Sequence, residues 1–312
     1  MMSTKIFLAG LLACCTAINA CSQTNSSQKL NTVGVFVAST PCDPLIKSFF
    51  TIHPDTKVDF MRWELTLSNS ENNKNVFILN VAFGESQPNT PGFKEGGEKL
   101  SFEGKYTVSQ SSNRNLNGEI YQLKSDKLST TLSLIKLNDN LFHLLTPENH
   151  LMVGNDGWSY TLNRKQPLTN ISAVLPSLTN SSTLLTDTAR QVTFAGRTPC
   201  PEFAKEYNFQ VGGDCNKLKW KLILYRDPTT FLPTTYALYW TLHRPDAIEG
   251  KWTIKGSDKN PDMIIYQLNP DKPSASISFL VGDKNVIYLL DKKNKLFTGN
   301  KDFSYTLNKI KP

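Results

Sequence analysis

The chain repeats itself, and that repeat limits its folding choices more than any other feature. Phe36-Val37-Ala38-Ser39-Thr40-Pro41-Cys42 returns as Phe194-Ala195-Gly196-Arg197-Thr198-Pro199-Cys200. Arg62-Trp63-Glu64-Leu65-Thr66-Leu67 returns as Lys219-Trp220-Lys221-Leu222-Ile223-Leu224. Glu103-Gly104-Lys105-Tyr106 matches Glu249-Gly250-Lys251-Trp252, and Ile120-Tyr121-Gln122-Leu123 matches Ile265-Tyr266-Gln267-Leu268. Both copies close on Ser-Tyr-Thr-Leu-Asn, at Ser159–Asn163 and Ser304–Asn308. Order is kept throughout. Solenoid units run to roughly 20–50 residues, so copies this long are whole domains. The 312 residues have room for about two domains at ~150 residues each. The copies span 32–165 and 190–312, and 166–189 is a Ser/Thr/Pro-containing linker with apolar interruptions. About eleven extra residues separate Trp63 from Gly104 in the first copy, fitting the turn-rich stretch Glu85–Gly92.

Inside each copy the apolar pattern has period two. Trp63-Glu64-Leu65-Thr66-Leu67, Thr131-Leu132-Ser133-Leu134 and Ser276-Ile277-Ser278-Phe279 put apolar and polar side chains on opposite faces. Runs of this kind are broken by Asn, Asp, Gly and Pro, as at Gly154-Asn155-Asp156-Gly157 and Gly299-Asn300-Lys301-Asp302. Many short strands joined by tight turns predict an all-β class, with an antiparallel sandwich or barrel in each copy. Short helices are expected only after the Pro-Cys elements, at 43–49 and 201–207. Each copy is long enough to bury a core of its own, and two independent cores are the expectation.

Residues 1–20 differ in kind from the rest. Lys5 is a basic start, Ile6–Ala13 a short apolar run, and Ile18-Asn19-Ala20-Cys21 a possible processing site. The run is shorter than the ~20 residues that span a bilayer and has the shape of a secretory signal. Its end resembles the signal of bacterial lipoproteins, in which the cysteine is acylated and becomes the first mature residue. Cys21 is preferred over Cys14, which would leave a cramped apolar run. The polar stretch in 21–31 is then a flexible tether between lipid and first domain. The expected location is the bacterial envelope, at the outer membrane facing the periplasm, with the N-terminal lipid as the membrane contact.

Three sets of matching elements, Thr40-Pro41-Cys42 with Thr198-Pro199-Cys200, Gly104-Lys105-Tyr106 with Gly250-Lys251-Trp252, and Tyr160-Thr161-Leu162 with Tyr305-Thr306-Leu307, carry a family resemblance. Their arrangement after a lipoprotein signal resembles the N-terminal domain of the copper-resistance and adhesion-sensing lipoprotein family called NlpE. That resemblance implies a lipocalin-like antiparallel β-barrel in each half, two in tandem. It stops short of the metal. The family's Cys-x-x-Cys loses its second cysteine here, to Leu45 in one copy and Phe203 in the other. A soft-ligand copper site needs at least two converging thiolates, thioethers or imidazoles.

Export permits disulfides. Cys200 and Cys215 share a repeat and are expected to bridge, a redox pair or free thiols being the alternatives; Cys42 has no equivalent partner, because Val58 stands near Cys215's place. Of His53, His143, His150 and His243, none sits at a metal-ligand spacing, and His143 reads as a half-exposed strand residue with Tyr288 as its counterpart. Glu103 and Glu249 recur beside glycine but have no acid, base or nucleophile beside them in sequence. No nucleotide, hydrolase or metalloprotease motif occurs. Net charge is +7 without the concentrated basic stripe of a nucleic-acid binder. Trp63, Tyr106, Trp220 and Trp252 could line a pocket for an apolar ligand or could fill the barrels, and filling is the commoner use. The expected function is therefore a non-enzymatic binding or sensing module without cofactor or metal. Its partner would be an envelope protein or a small apolar ligand, with a purely structural lipoprotein or a degenerate metal-handling protein as alternatives.

Overall fold

The computed structural model describes residues 30–70, 74–88, 90–111, 116–169, 178, 189–241, 243–257 and 260–311. The expected signal peptide, Cys14, Cys21, the start of the tether and most of the linker lie outside the described residues, as does the His243 side chain.

Strands β1 (Leu30–Pro41), β2 (Phe60–Ser70), β3 (Asn75–Gly84), β4 (Glu98–Gln110), β5 (Glu119–Lys124), β6 (Leu132–Asn138), β7 (Leu141–Leu145) and β8 (Thr161–Arg164) form one barrel. Each pairs antiparallel with the next, and β8 closes on β1 through Phe36 opposite Arg164 and Val37 opposite Asn163. The second barrel repeats the plan with β9 (Gln191–Pro199), β10 (Lys217–Arg226), β11 (Pro233–Trp240), β12 (His243–Ser257), β13 (Asn260–Leu268), β14 (Ile277–Val281), β15 (Val286–Leu290) and β16 (Thr306–Ile310). The fold is thus all-β, two closed eight-stranded antiparallel barrels in tandem: the repeat and its alternation predict an antiparallel sandwich or barrel in each copy, and the barrel is the form adopted. Closure leaves no unpaired sheet edge. The first copy's insertion falls between β3 and β4, where the second copy turns tightly from Trp240 to His243.

Alternation decides which face is core. In β2, Trp63, Leu65 and Leu67 point inward and are buried, while Arg62, Glu64 and Thr66 face out. Apolar inside and polar outside is the reverse of a membrane-spanning barrel wall. Two short helices, α1 (Pro44–Phe49) and α2 (Pro201–Tyr207), contribute to the barrel interiors. Asp43 caps α1 by accepting from the Ile46 N–H at 2.9 Å, and α1 buries Ile46 and Phe49 in the first core. Helix α2 buries Phe203, Ala204 and Tyr207.

The strands β7 and β15 are buried on both faces, and the two barrels meet there, flanked by β5, β6, β13 and β14. Leu141–Leu145 and Val286–Leu290 have every residue buried. Their outward side chains form a third apolar cluster, with Ile120, Ile135, Leu141 and Leu145 from one barrel and Ile265, Leu280, Val286 and Leu290 from the other. Leu178 of the linker packs into it at 1% exposure. The expectation of two independent cores is therefore incomplete: each barrel has its own, and a third is shared.

This junction has quasi-twofold symmetry, because equivalent residues touch each other. Ser159 and Ser304 hydroxyls lie 2.5 Å apart and those of Thr161 and Thr306 2.8 Å apart, each pair separated by 145 residues. The Gly154 N–H donates to Asn308 Oδ1 at 2.8 Å, and reciprocally Gly299 donates to Asn163 Oδ1 at 2.7 Å. A Cβ at Gly154 would overlap the backbone of Trp158 and Ser159, and one at Gly299 that of Phe303 and Ser304, with the facing Asn side chain close behind, so each loop requires glycine. Each residue of the repeated Ser-Tyr-Thr-Leu-Asn is thereby accounted for. Ser and Thr meet on the axis, Leu fills the core and Asn holds the facing loop. Tyr160 donates to Asp43 at 2.7 Å and Tyr305 to Glu202 at 3.2 Å, fastening α1 and α2.

Candidate functional site

Trp63, Tyr106, Trp220 and Trp252 all lie inside the barrels, at 3%, 4%, 3% and 2% exposure. Each polar atom is spent internally. Trp63 Nε1 donates to Thr40 Oγ1 and Trp220 Nε1 to Thr198 Oγ1, both at 2.9 Å. Tyr106 donates to Asn69 Oδ1 and Trp252 Nε1 to the Tyr225 carbonyl, both at 2.8 Å. Their rings are covered by neighbours: Phe50 meets Trp63 edge-on at 5.1 Å, and Phe203 meets Trp220 at 5.0 Å. These aromatics are placed to fill the interiors rather than to line an open mouth.

Cys200 and Cys215 form the expected disulfide, with Cα atoms 5.7 Å apart, tying the start of α2 to the approach of β10. Cys42 is the free cysteine among the described residues. Burial pushes its thiol up to about 11, well away from thiolate reactivity. Among the described residues no group of three His, Cys, Asp or Glu side chains could hold a metal ion. Where the family pattern has its second cysteine, Phe203 is completely buried and stacks on Tyr207 at 4.5 Å; Leu45, half-buried, packs against the first core. Apolar packing occupies the place a ligand would take.

His143 is not half-exposed, as an ordinary strand position would leave it, but wholly buried between the barrels. Its ring lies edge-on to Tyr288, its counterpart, at 5.6 Å. Nδ1 is 2.9 Å from Thr161 Oγ1 and Nε2 2.9 Å from the Met152 carbonyl. A carbonyl only accepts, so Nε2 carries the proton and Nδ1 accepts from Thr161. Burial holds the pKa down at about 4, so the ring stays neutral.

A large concave feature lies outside the barrels. A groove of about 770 Å³ runs over the outer wall of β1–β4 and is bounded by Gly299–Lys301 of the second barrel. The strand register arranges its floor in two rungs. One runs Ser39, Arg62, Ala82, Lys99 and the other Val37, Glu64, Asn80, Ser101. Arg164, the last residue of β8, and Lys165 just after it flank the second rung. Ser39 donates to the Lys301 carbonyl at 2.9 Å, fastening the loop to the wall. Arg62 pairs with Asp302 at 2.8 Å and also donates to the Pro91 carbonyl, so the insertion and the second barrel jointly place it. Its Nε is buried and has no hydrogen-bond partner among the described residues. Lys165 pairs with Glu64 at 2.7 Å, and Ser101 donates to Asn80 at 2.8 Å.

No family model, curated protein or solved structure matches this chain. The comparison available is internal. At the corresponding positions on the second barrel, Lys219 stands for Arg62, Lys221 for Glu64, Tyr239 for Asn80 and Asp156 for Lys301. The two walls have diverged where the groove lies. The repeats alone could have directed attention there, since outward positions that differ between copies are free of the shared demands of the core.

Proposed function

We propose that this chain is an exported, Cys21-acylated lipoprotein of the bacterial envelope, anchored at the outer membrane and facing the periplasm. It acts as a non-enzymatic binding module that recognises its partner with the outside of its barrels. The observation that carries this reading is the filling of both interiors by the chain's own aromatics, which leaves the outer wall and its groove as the receptive surface. The Cys200–Cys215 bridge supports an oxidising compartment. The polar outer walls support barrels standing in water beside the membrane, with the lipid as their attachment. Kinship with the NlpE type remains part of the proposal, supported by the Thr-Pro-Cys, Gly-Lys-aromatic and Tyr-Thr-Leu elements. Copper handling does not, because packing replaces the second ligand.

Labelling with radioactive palmitate followed by envelope fractionation tests the anchor. The chain should carry label and sediment with membranes, and Cys21→Ala should lose the label and turn soluble while Cys14→Ala does neither. A Cys21→Ala protein that stayed labelled or membrane-bound would refute the assignment.

A further inference from the structure

We propose that the groove binds an anionic amphiphile, its phosphate or carboxylate head between Arg62, Lys99 and Lys301 and its apolar part along Val37 and Ala82. This rests on the reading that recognition is external to the barrels, and it adds the chemistry of the ligand. Five cations line the groove against one carboxylate, Glu64, which Lys165 already holds. Asp302 takes one side of Arg62. Lys99 and Lys301 have no carboxylate within ion-pair distance among the described residues. They come from different repeats and converge on one concavity, which concentrates positive potential there.

The floor suits a head group of modest size. Neighbouring strands lie about 4.8 Å apart, so Arg62 and Lys99 stand roughly 10 Å apart across Ala82, whose small side chain leaves the space between them open. Arg62 keeps 26% of its side chain exposed while Asp302 holds it from one side, so its guanidinium can meet a ligand oxygen there. Val37 and Ala82, on the outward face of their strands, give the same groove an apolar strip. Its volume falls within the range of roughly 300–1,000 Å³ typical of small-molecule sites. A closed barrel offers no edge to which a peptide could add as a strand, so recognition must come from side chains.

Titration calorimetry on the full chain carrying Cys21→Ala tests this without the anchor. Dihexanoyl phosphatidylglycerol below its micelle concentration is the probe, with dihexanoyl phosphatidylcholine and glycerol phosphate as comparators. The anionic lipid should bind, and both comparators should bind about tenfold or more weakly. Lys99→Glu and Lys301→Glu should each weaken it by about tenfold, while Lys219→Glu on the second barrel leaves it unchanged. Equal binding of the zwitterionic lipid would overturn the charged head, and equal binding of glycerol phosphate would overturn the apolar part in favour of a free anion. No binding of any probe would overturn the proposal and leave the anchoring result, measured separately, standing.

Discussion

His143 places a titratable ring where charge is least tolerable, in the seam between two barrels. Thr306 Oγ1, Thr161 Oγ1 and His143 Nδ1 form one chain of contacts, and Nε2 ends it on the Met152 carbonyl. Protonating Nδ1 would turn its acceptor into a donor facing the Thr161 hydroxyl, which would have to reverse. Since the folded pKa is about 4, below the ordinary 6.5, the unfolded chain binds the proton first as pH falls. The stability contributed by the neutral ring is complete above pH ~6.5 and drains away towards pH ~4, by about 3 kcal/mol in all. Thermal melts between pH 7 and pH 4 should therefore slope more steeply for the native chain than for His143→Gln, although the variant is less stable at pH 7. Parallel slopes would mean that the ring is reached by water.

The two helices solve one problem differently. Asp43 caps α1 with its carboxylate, whereas the N-cap position of α2 is Cys200, whose side chain makes no capping hydrogen bond and is committed to the disulfide. Phe203, on α2, meets Trp220 and Trp240 edge-on at 5.0 and 5.7 Å, so the bridge holds a helix that holds the aromatic core. Closing a fifteen-residue loop is worth about 3 kcal/mol in the chain-entropy model. Reduction should raise amide exchange in α2, β9 and β10 and leave α1, β1 and β2 nearly unchanged, since Cys42 is unpaired. Uniform loss of protection across both barrels would show instead that the shared cluster, not the bridge, limits stability.

On the scale of the whole molecule, the shared face is self-complementary. Equivalent residues meet across it and the loop contacts are reciprocal, which is the arrangement of an isologous dimer interface. Covalent linkage has made two such faces one chain. Separated halves, 30–165 and 190–312, would each expose the outward leucines and isoleucines of that face. They should sediment as dimers when alone and form a one-to-one complex when mixed, rather than remain monomers as two independent cores would allow. A monomeric first half melting at the temperature of the intact chain would count against a stabilising junction.

Duplication, period-two patterning and the cysteine pair are properties of local order, so the residues alone determined an all-β tandem and offered a pair of cysteines for bridging in the second copy. What they left undetermined depends on distant partners. Phe-His-Leu-Leu and Ile-Tyr-Leu-Leu, at 142–145 and 287–290, are unbroken apolar runs, a mark of strands covered on both faces, but nothing local says that each covers the other. For the same reason His143 reads from the sequence as an ordinary half-exposed strand position, and only the second barrel covers it. The groove is more remote still. Its rungs take one outward residue from each of four strands, and Ser39 holds a loop 262 residues away. Side-chain type and spacing record which face of a strand is apolar; which surfaces then meet is decided by barrel closure and by the packing of one copy on the other.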